Sequence, residues 1–104
     1  MTDEIEGYDE DLKKAIGEVL VSLDNIDEIP DESLSRAIRG LENKLSKIKE
    51  LYFAFHTEWK ELDAADKGLY TKKGDEHKKL IDTITQRLKT YKAKAEKKDF
   101  GMSK

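Results

Sequence analysis

Large apolar residues recur between positions 34 and 62 at alternating steps of four and three. They are Leu34, Ile38, Leu41, Leu45, Ile48, Tyr52, Phe55, Trp59 and Leu62. Because such steps keep successive side chains on one face of an α-helix, the pattern predicts one long helix with an apolar stripe. A stripe of this kind needs another surface to cover it. Two residues depart from the pattern: Leu51 widens the stripe, and Phe53 lies off it.

A shorter helix is predicted ahead of the long one. Its apolar positions follow a 3.6-residue period and are Leu12, Ala15, Ile16, Val19, Leu20, Leu23 and Ile26. Negative charge is favourable at a helix N-terminus, so the acidic run from Asp9 to Asp11 places the start of this helix near Asp9. We expect residues 1–8 to be flexible, with Ile5 and Tyr8 available to dock on the bundle.

The single proline separates the first two helices. Pro30 disfavours helix in the residue before it, so the first turn is expected at residues 24–30, with Asp31 as the N-cap of the second helix. That helix is expected to run to about Asp66. Lys67 and Gly68 then resemble a C-terminal stop, in which a cation lies near the last carbonyl groups and a glycine follows.

A second turn is expected at Leu69–Gly74, with Asp75 as the N-cap of a third helix that ends near Asp99. The third helix repeats the four-three spacing at His77, Ile81, Ile84, Leu88, Tyr91 and Ala95. Folding the chain back near residue 70 brings the two stripes together. The predicted neighbours are Trp59 and Ile81, Phe55 and Ile84, Tyr52 and Leu88, and Ile48 and Tyr91.

These elements predict an all-α fold: an antiparallel hairpin of two long helices, with a shorter N-terminal helix packed across it as a three-helix bundle with a coiled-coil-like stripe. The 104 residues suit a single domain, with residues 1–8 and 97–104 as flexible ends and Phe100 as a possible docking point. The same heptad pattern also serves an intermolecular coiled coil, so that arrangement stays open.

Composition fits long helices with solvated outer faces, since 41% of residues are charged and 37% are hydrophobic. Cysteine is absent, which excludes disulfides and suits a reducing compartment. The acidic N-terminus lacks the features of a secretory or transit signal. The longest uncharged apolar-rich run, residues 51–57, is far shorter than the roughly 20 residues of a membrane span. The sequence therefore predicts a cytoplasmic protein without a membrane partner.

No catalytic, metal or cofactor pattern emerges from the residue types that carry such chemistry. The two histidines are expected to lie apart, with His77 facing Asp63 and Asp66 and His56 on the flank of its own helix. No Glu-x-x-His pair of a di-metal bundle is present, and the six glycines are too scattered for a phosphate-binding loop. We therefore predict no enzymatic activity, no cofactor and no metal site.

Charge is distributed unevenly along the chain. Residues 1–34 carry a net charge of -10, residues 35–66 a net charge of 0 and residues 67–104 a net charge of +7. The basic third helix makes nucleic-acid binding an alternative function, with Arg87, Lys89, Lys92 and Lys94 as candidate contacts. Its lysines are spread around every position outside the stripe, which also fits a solvated face opposite the acidic first helix. The acidic N-terminal third is open to a further reading, as a mimic of a phosphate backbone.

An aromatic residue off the apolar stripe is the strongest sign of a contact surface. Phe53 and His56 are neighbours on one helix face, between Lys49 and Lys60. Either the first helix or a tilted bundle covers Phe53, or this group makes a self-association or partner contact. We take Phe53, His56 and Leu51 as candidates for the contact. The function expected from the sequence is a small protein-protein interaction module, an adaptor, assembly factor or inhibitor with a regulatory role, that also self-associates.

Overall fold

The computed structural model describes the backbone of residues 3–101 and the side chains of residues 3–96. Three helices follow one another: α1 (Asp3–Asp24), α2 (Asp31–Lys60) and α3 (Ala64–Gly101), with a short 3-10 turn at Ile26–Glu28. Within residues 3–101 there is no β-strand. The two long helices form an antiparallel hairpin, and α1 packs on both of them. The predicted all-α three-helix bundle is confirmed.

The bundle is a rod with principal dimensions of 60 × 17 × 17 Å. As expected, α1 is the shortest of the three helices, with 22 residues against 30 in α2 and 38 in α3. One continuous core runs along the rod. It contains Ile5, Leu12, Ile16, Val19, Leu23, Ile26, Leu34, Ile38, Leu41, Leu45, Ile48, Phe55, Tyr70, Ile81, Ile84, Leu88 and Ala95.

The first helix begins six residues before the predicted start, at Asp3 rather than near Asp9. Its first turn still carries acids, as the helix dipole favours, but they are Asp3, Glu4 and Glu6. Ile5 is fully buried, so residues 3–8 belong to the packed helix and are not a flexible end. The stripe of α1 reads Ile5, Asp9, Leu12, Ile16, Val19 and Leu23, in which Asp9 is a buried charged member.

The connection between α1 and α2 lies where Pro30 predicts it. Pro30 itself is the N-cap residue, with extended backbone, and α2 begins at Asp31, so the cap is one residue earlier than expected. The carbonyl oxygen of Pro30 accepts the first helical hydrogen bond, from the Ser33 amide at 2.9 Å. Ile26 in the 3-10 turn is buried, which extends the apolar stripe of α1 beyond the end of that helix.

The second turn is wrong in the sequence-based prediction. α2 ends at Lys60 and α3 begins at Ala64, so the turn spans 61–63 instead of Leu69–Gly74. A carboxylate oxygen of Asp63 accepts a hydrogen bond from the Asp66 amide at 3.0 Å, which satisfies a free N–H of the first turn of α3. Asp63 therefore performs the capping role assigned to Asp75.

The other residues that were predicted to mark the end of α2 and the start of α3 lie inside α3. Lys67, Gly68 and Asp75 are helical residues, and no described residue has a positive φ. At the far end, the α3 backbone continues to Gly101, two residues beyond the predicted end at Asp99. The side chain of Phe100 and residues 102–104 lie outside the described part of the chain, so the predicted docking of Phe100 and the nature of that end stay predictions.

The earlier turn changes which residues of α2 and α3 meet. Phe55, predicted to face Ile84, instead lies against Tyr70, Gly74 and His77, with the Phe55 and His77 ring centres 5.7 Å apart. A Cβ atom at Gly74 would lie only 3.1 Å from the Phe55 ring, so the missing side chain makes room for that ring.

Trp59, predicted to face Ile81, lies against the first turns of α3 instead. Its indole N–H is shared between the carbonyl oxygen of Lys67 and the hydroxyl of Thr71, at 3.2 and 3.1 Å. The neighbours predicted for Tyr52 and Ile48 assumed the same alignment of α2 with α3. In the structure, the α3 residues that lie level with them are shifted by about three helical turns.

Candidate protein interface

Phe53 is the most exposed large hydrophobic residue among the described side chains, with 74% of its surface accessible. Neither α1 nor the rest of the described bundle covers Phe53, so the interpretation of Phe53 as a covered residue is wrong. Phe53 lies eleven positions, or three helical turns, after Glu42, so both side chains point to the same side of α2. Glu42 accepts a hydrogen bond from Lys92 of α3 at 3.4 Å. Phe53 therefore lies on the flank of α2 that borders α3.

The other two candidate residues separate. His56 is exposed and lies one turn from Phe53, as predicted. Leu51 is half-buried and packs against the core. Two positions along a helix correspond to about 200°, so Leu51 and Phe53 point in nearly opposite directions around α2. Phe53 and His56, three positions apart, share one side of α2, and Leu51 does not lie with them.

Four aromatic side chains lie close together in the sequence of α2 and have exposed or half-exposed rings, and we call this set the aromatic surface. It consists of Tyr52, Phe53, His56 and Trp59. The His56 and Trp59 rings are stacked, with centres 5.3 Å apart, and the ammonium of Lys67 lies 5.2 Å from the Trp59 ring centre. Tyr52 and Trp59 are half-buried, so each has one face in the core and one at the surface. Sequence reasoning assigned both residues wholly to the core and missed their partial exposure.

Charged residues border the aromatic surface on both helices. Burial raises the pKa of the Tyr52 phenol, and the carboxylates of Asp75 and Asp82 raise it further. These two acids of α3 therefore lie within electrostatic range of the Tyr52 hydroxyl. On α2 the surface is bordered by Lys49 and Lys60. None of the four forms an ion pair with another described side chain.

The histidine of α3 is part of a buried polar cluster, not of the aromatic surface. The prediction that His77 faces Asp63 and Asp66 is wrong, because its Nε2 lies 2.6 Å from a carboxylate oxygen of Asp9 and both residues are 3% exposed. Lys13 and Lys73 approach the other oxygen of Asp9, at 3.3 and 3.7 Å. Burial opposes ionisation of Asp9, but the hydrogen bonds from His77 and Lys13 outweigh it and lower the pKa of this carboxyl.

A second polar contact joins the same two helices. The hydroxyl of Tyr70 donates a hydrogen bond to Glu6 at 3.1 Å. Burial, followed by that hydrogen bond, raises the pKa of Tyr70 to about 12. Together with Asp9 and His77, this contact fixes the position of α1 along α3, which is a structural role. Within the described side chains, no group of three or more potential ligands is placed to hold a metal ion.

The end of the rod near the second turn is acidic. An open cleft of about 740 Å³ is lined by Leu62 and six acids: Asp3, Glu4, Glu58, Glu61, Asp63 and Asp66. Desolvation raises the pKa of Glu58, and the neighbouring Glu4 raises it further. These acids come from the start of α1, the end of α2 and the start of α3. The net charge of residues 1–34 did not predict that they meet at one end of the rod.

The four candidate nucleic-acid contacts do not share one face. Arg87 pairs with Asp24 of α1 at 3.2 Å, whereas Lys92 pairs with Glu42 of α2 at 3.4 Å. These two cations therefore point to opposite neighbours. The ammonium of Lys94 lies over the Tyr91 ring, 5.6 Å from its centre, and Lys89 is exposed.

Among the described helices, none combines the length and the apolar character that a membrane span requires. No protein-family model, curated protein sequence or solved structure gives a significant match to the chain.

Proposed function

We propose that the protein is a small, non-enzymatic protein-protein interaction module that binds through the aromatic surface of α2, as an adaptor, assembly factor or inhibitor. The observation that carries the proposal is the exposure of Phe53 beside three further aromatic rings on one flank of the rod. Aromatic side chains are enriched at the energetic centres of protein interfaces. An exposed aromatic group with a charged border has the composition of such a centre and its rim.

The free chain leaves much of this apolar area in water. Burial of apolar surface stabilises a complex by roughly 25 cal/mol per Å². The Phe53 ring therefore contributes little to folding and is available to a partner. Trp59 is held by its hydrogen bonds to Lys67 and Thr71, and Tyr52 is held by packing against the core and the Phe55 ring. Binding therefore requires little further ordering of these two side chains.

The contacts of the buried polar groups support the non-enzymatic part of the proposal. The buried pair with the strongest mutual contact, Asp9 and His77, lies between α1 and α3 and is already matched by Lys13 and Lys73. Its groups are used for packing. The predicted regulatory role and cytoplasmic location stay predictions of the sequence.

Nucleic-acid binding through α3 is the alternative function. Two of the four candidate cations, Arg87 and Lys92, form ion pairs with carboxylates of the same chain. Each of them would have to break its ion pair before it could bind a phosphate group. It predicts oligonucleotide binding that falls steeply with salt and is weakened by K89E/K92E. Binding of a labelled oligonucleotide at low salt would favour this alternative.

A pull-down from lysate of the source cells, with and without nuclease, tests the proposal. Wild-type protein should retain a partner after nuclease treatment, and Phe53→Ala should lose it. Val21→Ala is a matched control, since Val21 is an exposed apolar residue of α1, 61% accessible and away from the aromatic surface. A Phe53→Ala variant that keeps every partner would overturn the proposal, as would capture that depends on nucleic acid.

A further inference from the structure

The buried face of α3 repeats that of α2 thirty-six residues later. Every buried residue in the described part of these two helices belongs to a pair with this spacing, and its partner is buried or half-buried. The pairs are Leu34 and Tyr70, Ile38 and Gly74, Leu41 and His77, Leu45 and Ile81, Ile48 and Ile84, Tyr52 and Leu88, Phe55 and Tyr91, and Trp59 and Ala95. Thirty-six residues are ten full turns of an α-helix. If the two helices were one, their apolar stripes would therefore lie on the same side.

The flanks of the two helices match in the same way. Lys92 of α3 borders α2, because it donates a hydrogen bond to Glu42. His56, thirty-six residues before Lys92, lies with Phe53 on the flank of α2 that borders α3. A single helix would therefore also align the two flanks that face each other in the hairpin, and it would leave the surfaces that contact α1 on one common side.

The turn between α2 and α3 contains nothing that prevents a helix. Its three residues, 61–63, which we call the hinge, include neither glycine nor proline. Glu61 already has right-handed helical angles, with a φ of -84° and a ψ of -8°, and no described residue has a positive φ. Trp59 and Tyr70, stripe residues on either side of the hinge, are eleven residues apart, which is about three helical turns. A helical hinge would therefore continue the stripe without a break.

We infer that two copies of this chain exchange their third helices. In each copy the hinge becomes helical, α2 and α3 join into one helix over residues 31–101, and α3 packs on α1 and α2 of the other copy. The two joined helices run antiparallel about a two-fold axis perpendicular to the rod, so each half of the dimer reproduces the three-helix bundle. The inference goes beyond the proposed function, because the contact is the core and not the aromatic surface.

The contacts between α1 and α3 re-form between the two copies. The pair of Asp9 with His77 and the hydrogen bond from Tyr70 to Glu6 then join α1 of one copy to α3 of the other. The joined helix also gives helical partners to backbone groups at the end of α2 and the start of α3. Because both forms use the same core, protein concentration decides between them. Within one chain, α3 docks at an effective concentration on the order of millimolar.

The acidic end of the rod opposes the exchange at low salt. Six acids line the cleft beside the second turn, and the exchange brings two such ends together at the middle of the dimer. Salt screens this repulsion, since the Debye length is about 3 Å at 1 M ionic strength and about 10 Å at 0.1 M. Refolding at high salt and high protein concentration therefore favours the exchanged dimer.

Refolding from denaturant at about 1 mM protein and about 1 M salt tests the inference. Size-exclusion chromatography with light scattering gives the share of dimer, and small-angle X-ray scattering gives its length. We expect a dimer beside the monomer, with a maximum dimension of about 105 Å, because residues 31–101 rise by about 1.5 Å each in one helix. The monomer is 60 Å long.

Two variants at the hinge should move the dimer share in opposite directions. Asp63→Ala removes the cap of α3, which only the hairpin needs, and favours a helical hinge, so the dimer share should rise at least about threefold. Ala64→Pro places proline in the first turn of α3, where it is tolerated, but in a joined helix its ring clashes with the carbonyl group of Lys60. This variant should abolish the dimer. Asp63→Ser is the matched control: it removes the same charge but keeps an oxygen acceptor for the cap, and it should leave the dimer share within about twofold of wild type.

Three outcomes would overturn the inference: no dimer from either wild type or Asp63→Ala; a dimer that Ala64→Pro retains; or a dimer whose maximum dimension stays near the 60 Å of the monomer. Circular dichroism checks that Ala64→Pro is helical. If that variant does not fold, Glu61→Gly replaces it. Glycine is disfavoured inside a helix and the exchanged dimer contains two hinges, so the dimer share should fall at least about threefold, and an unchanged share would equally overturn the inference.

Discussion

The imidazole of His77 lies 2.6 Å from the carboxylate of Asp9, in the buried interface between α3 and α1. Sixty-eight residues separate the two in sequence. A charged residue at an apolar stripe position fixes the alignment of two helices, because any sliding leaves the charge buried without its partner. We interpret this pair as the device that sets α1 in place along the hairpin.

Removal of one member of the pair should destabilise the protein. In His77→Leu the Asp9 carboxylate loses its buried partner and keeps only Lys13 and Lys73, so we expect the free energy of unfolding to fall by about 3 kcal/mol. Asp9→Leu/His77→Leu should recover much of that loss, since no buried charge is left. Urea denaturation measures both. A double variant less stable than His77→Leu would contradict this interpretation of the pair.

The same pair makes stability depend on pH. The folded-state pKa of Asp9 is lowered from the ordinary value of 3.8, so its contribution is fully present above about pH 4. As the pH falls below 3.8 through the lower folded-state pKa, the unfolded chain binds a proton more readily and the contribution is lost. Unfolding of Asp9→Asn should therefore be less sensitive to pH than wild type in this range. Equal slopes for the two proteins below pH 4 would refute the assignment.

Gly74 and Gly68 offer a matched pair of substitutions within α3. Alanine is preferred to glycine in a helix by about 1 kcal/mol. A Cβ atom at position 68 meets nothing within 4 Å, so Gly68→Ala should stabilise the protein by up to that amount. At position 74 the added atom would lie 3.1 Å from the buried Phe55 ring, so Gly74→Ala should gain less or lose stability. Thermal denaturation should rank Gly68→Ala above Gly74→Ala, and the reverse order would reject the close packing of Phe55 on α3.

Asp63 should stabilise the start of α3. In Asp63→Ala the Asp66 amide loses its side-chain acceptor, and we expect a loss of about 1 kcal/mol, as for other N-cap residues. Asp63→Ser should retain most of the stability, because a hydroxyl oxygen also accepts this bond. Chemical denaturation of Asp63→Ala and Asp75→Ala measures the two losses. A larger loss of stability in Asp75→Ala would place the N-cap of the third helix at Asp75, as predicted from the sequence.

The long apolar stripe of α2 was predictable because every large residue in it keeps the four-three phase. The same phase argument placed Phe53 outside the core. The start of α1 was not found, since the charged Asp9 interrupts the stripe between Ile5 and Leu12, and only the tertiary contact with His77 makes a charge acceptable there.

The second turn was missed because Leu62 continues the apolar phase past the real end of α2. Lys67 and Gly68 then resembled a helix stop. The sequence did hold a competing signal, an acid at Asp63 followed three residues later by Asp66, which is the spacing of a helix start. With that turn misplaced, the register of α3 was wrong, and the neighbours of Phe53 on that helix were not predictable.

The decisive experiment for the role of the aromatic surface compares Phe53→Ala with Phe55→Ala, because the two rings are two positions apart on one helix and only Phe55 is buried. We expect Phe55→Ala to lower the free energy of unfolding by about 3–5 kcal/mol. Phe53→Ala should keep it within about 0.5 kcal/mol at a concentration where the chain is monomeric, and should abolish partner binding. A Phe53→Ala protein that unfolds as readily as Phe55→Ala, or that binds as wild type does, would contradict the proposed role of Phe53.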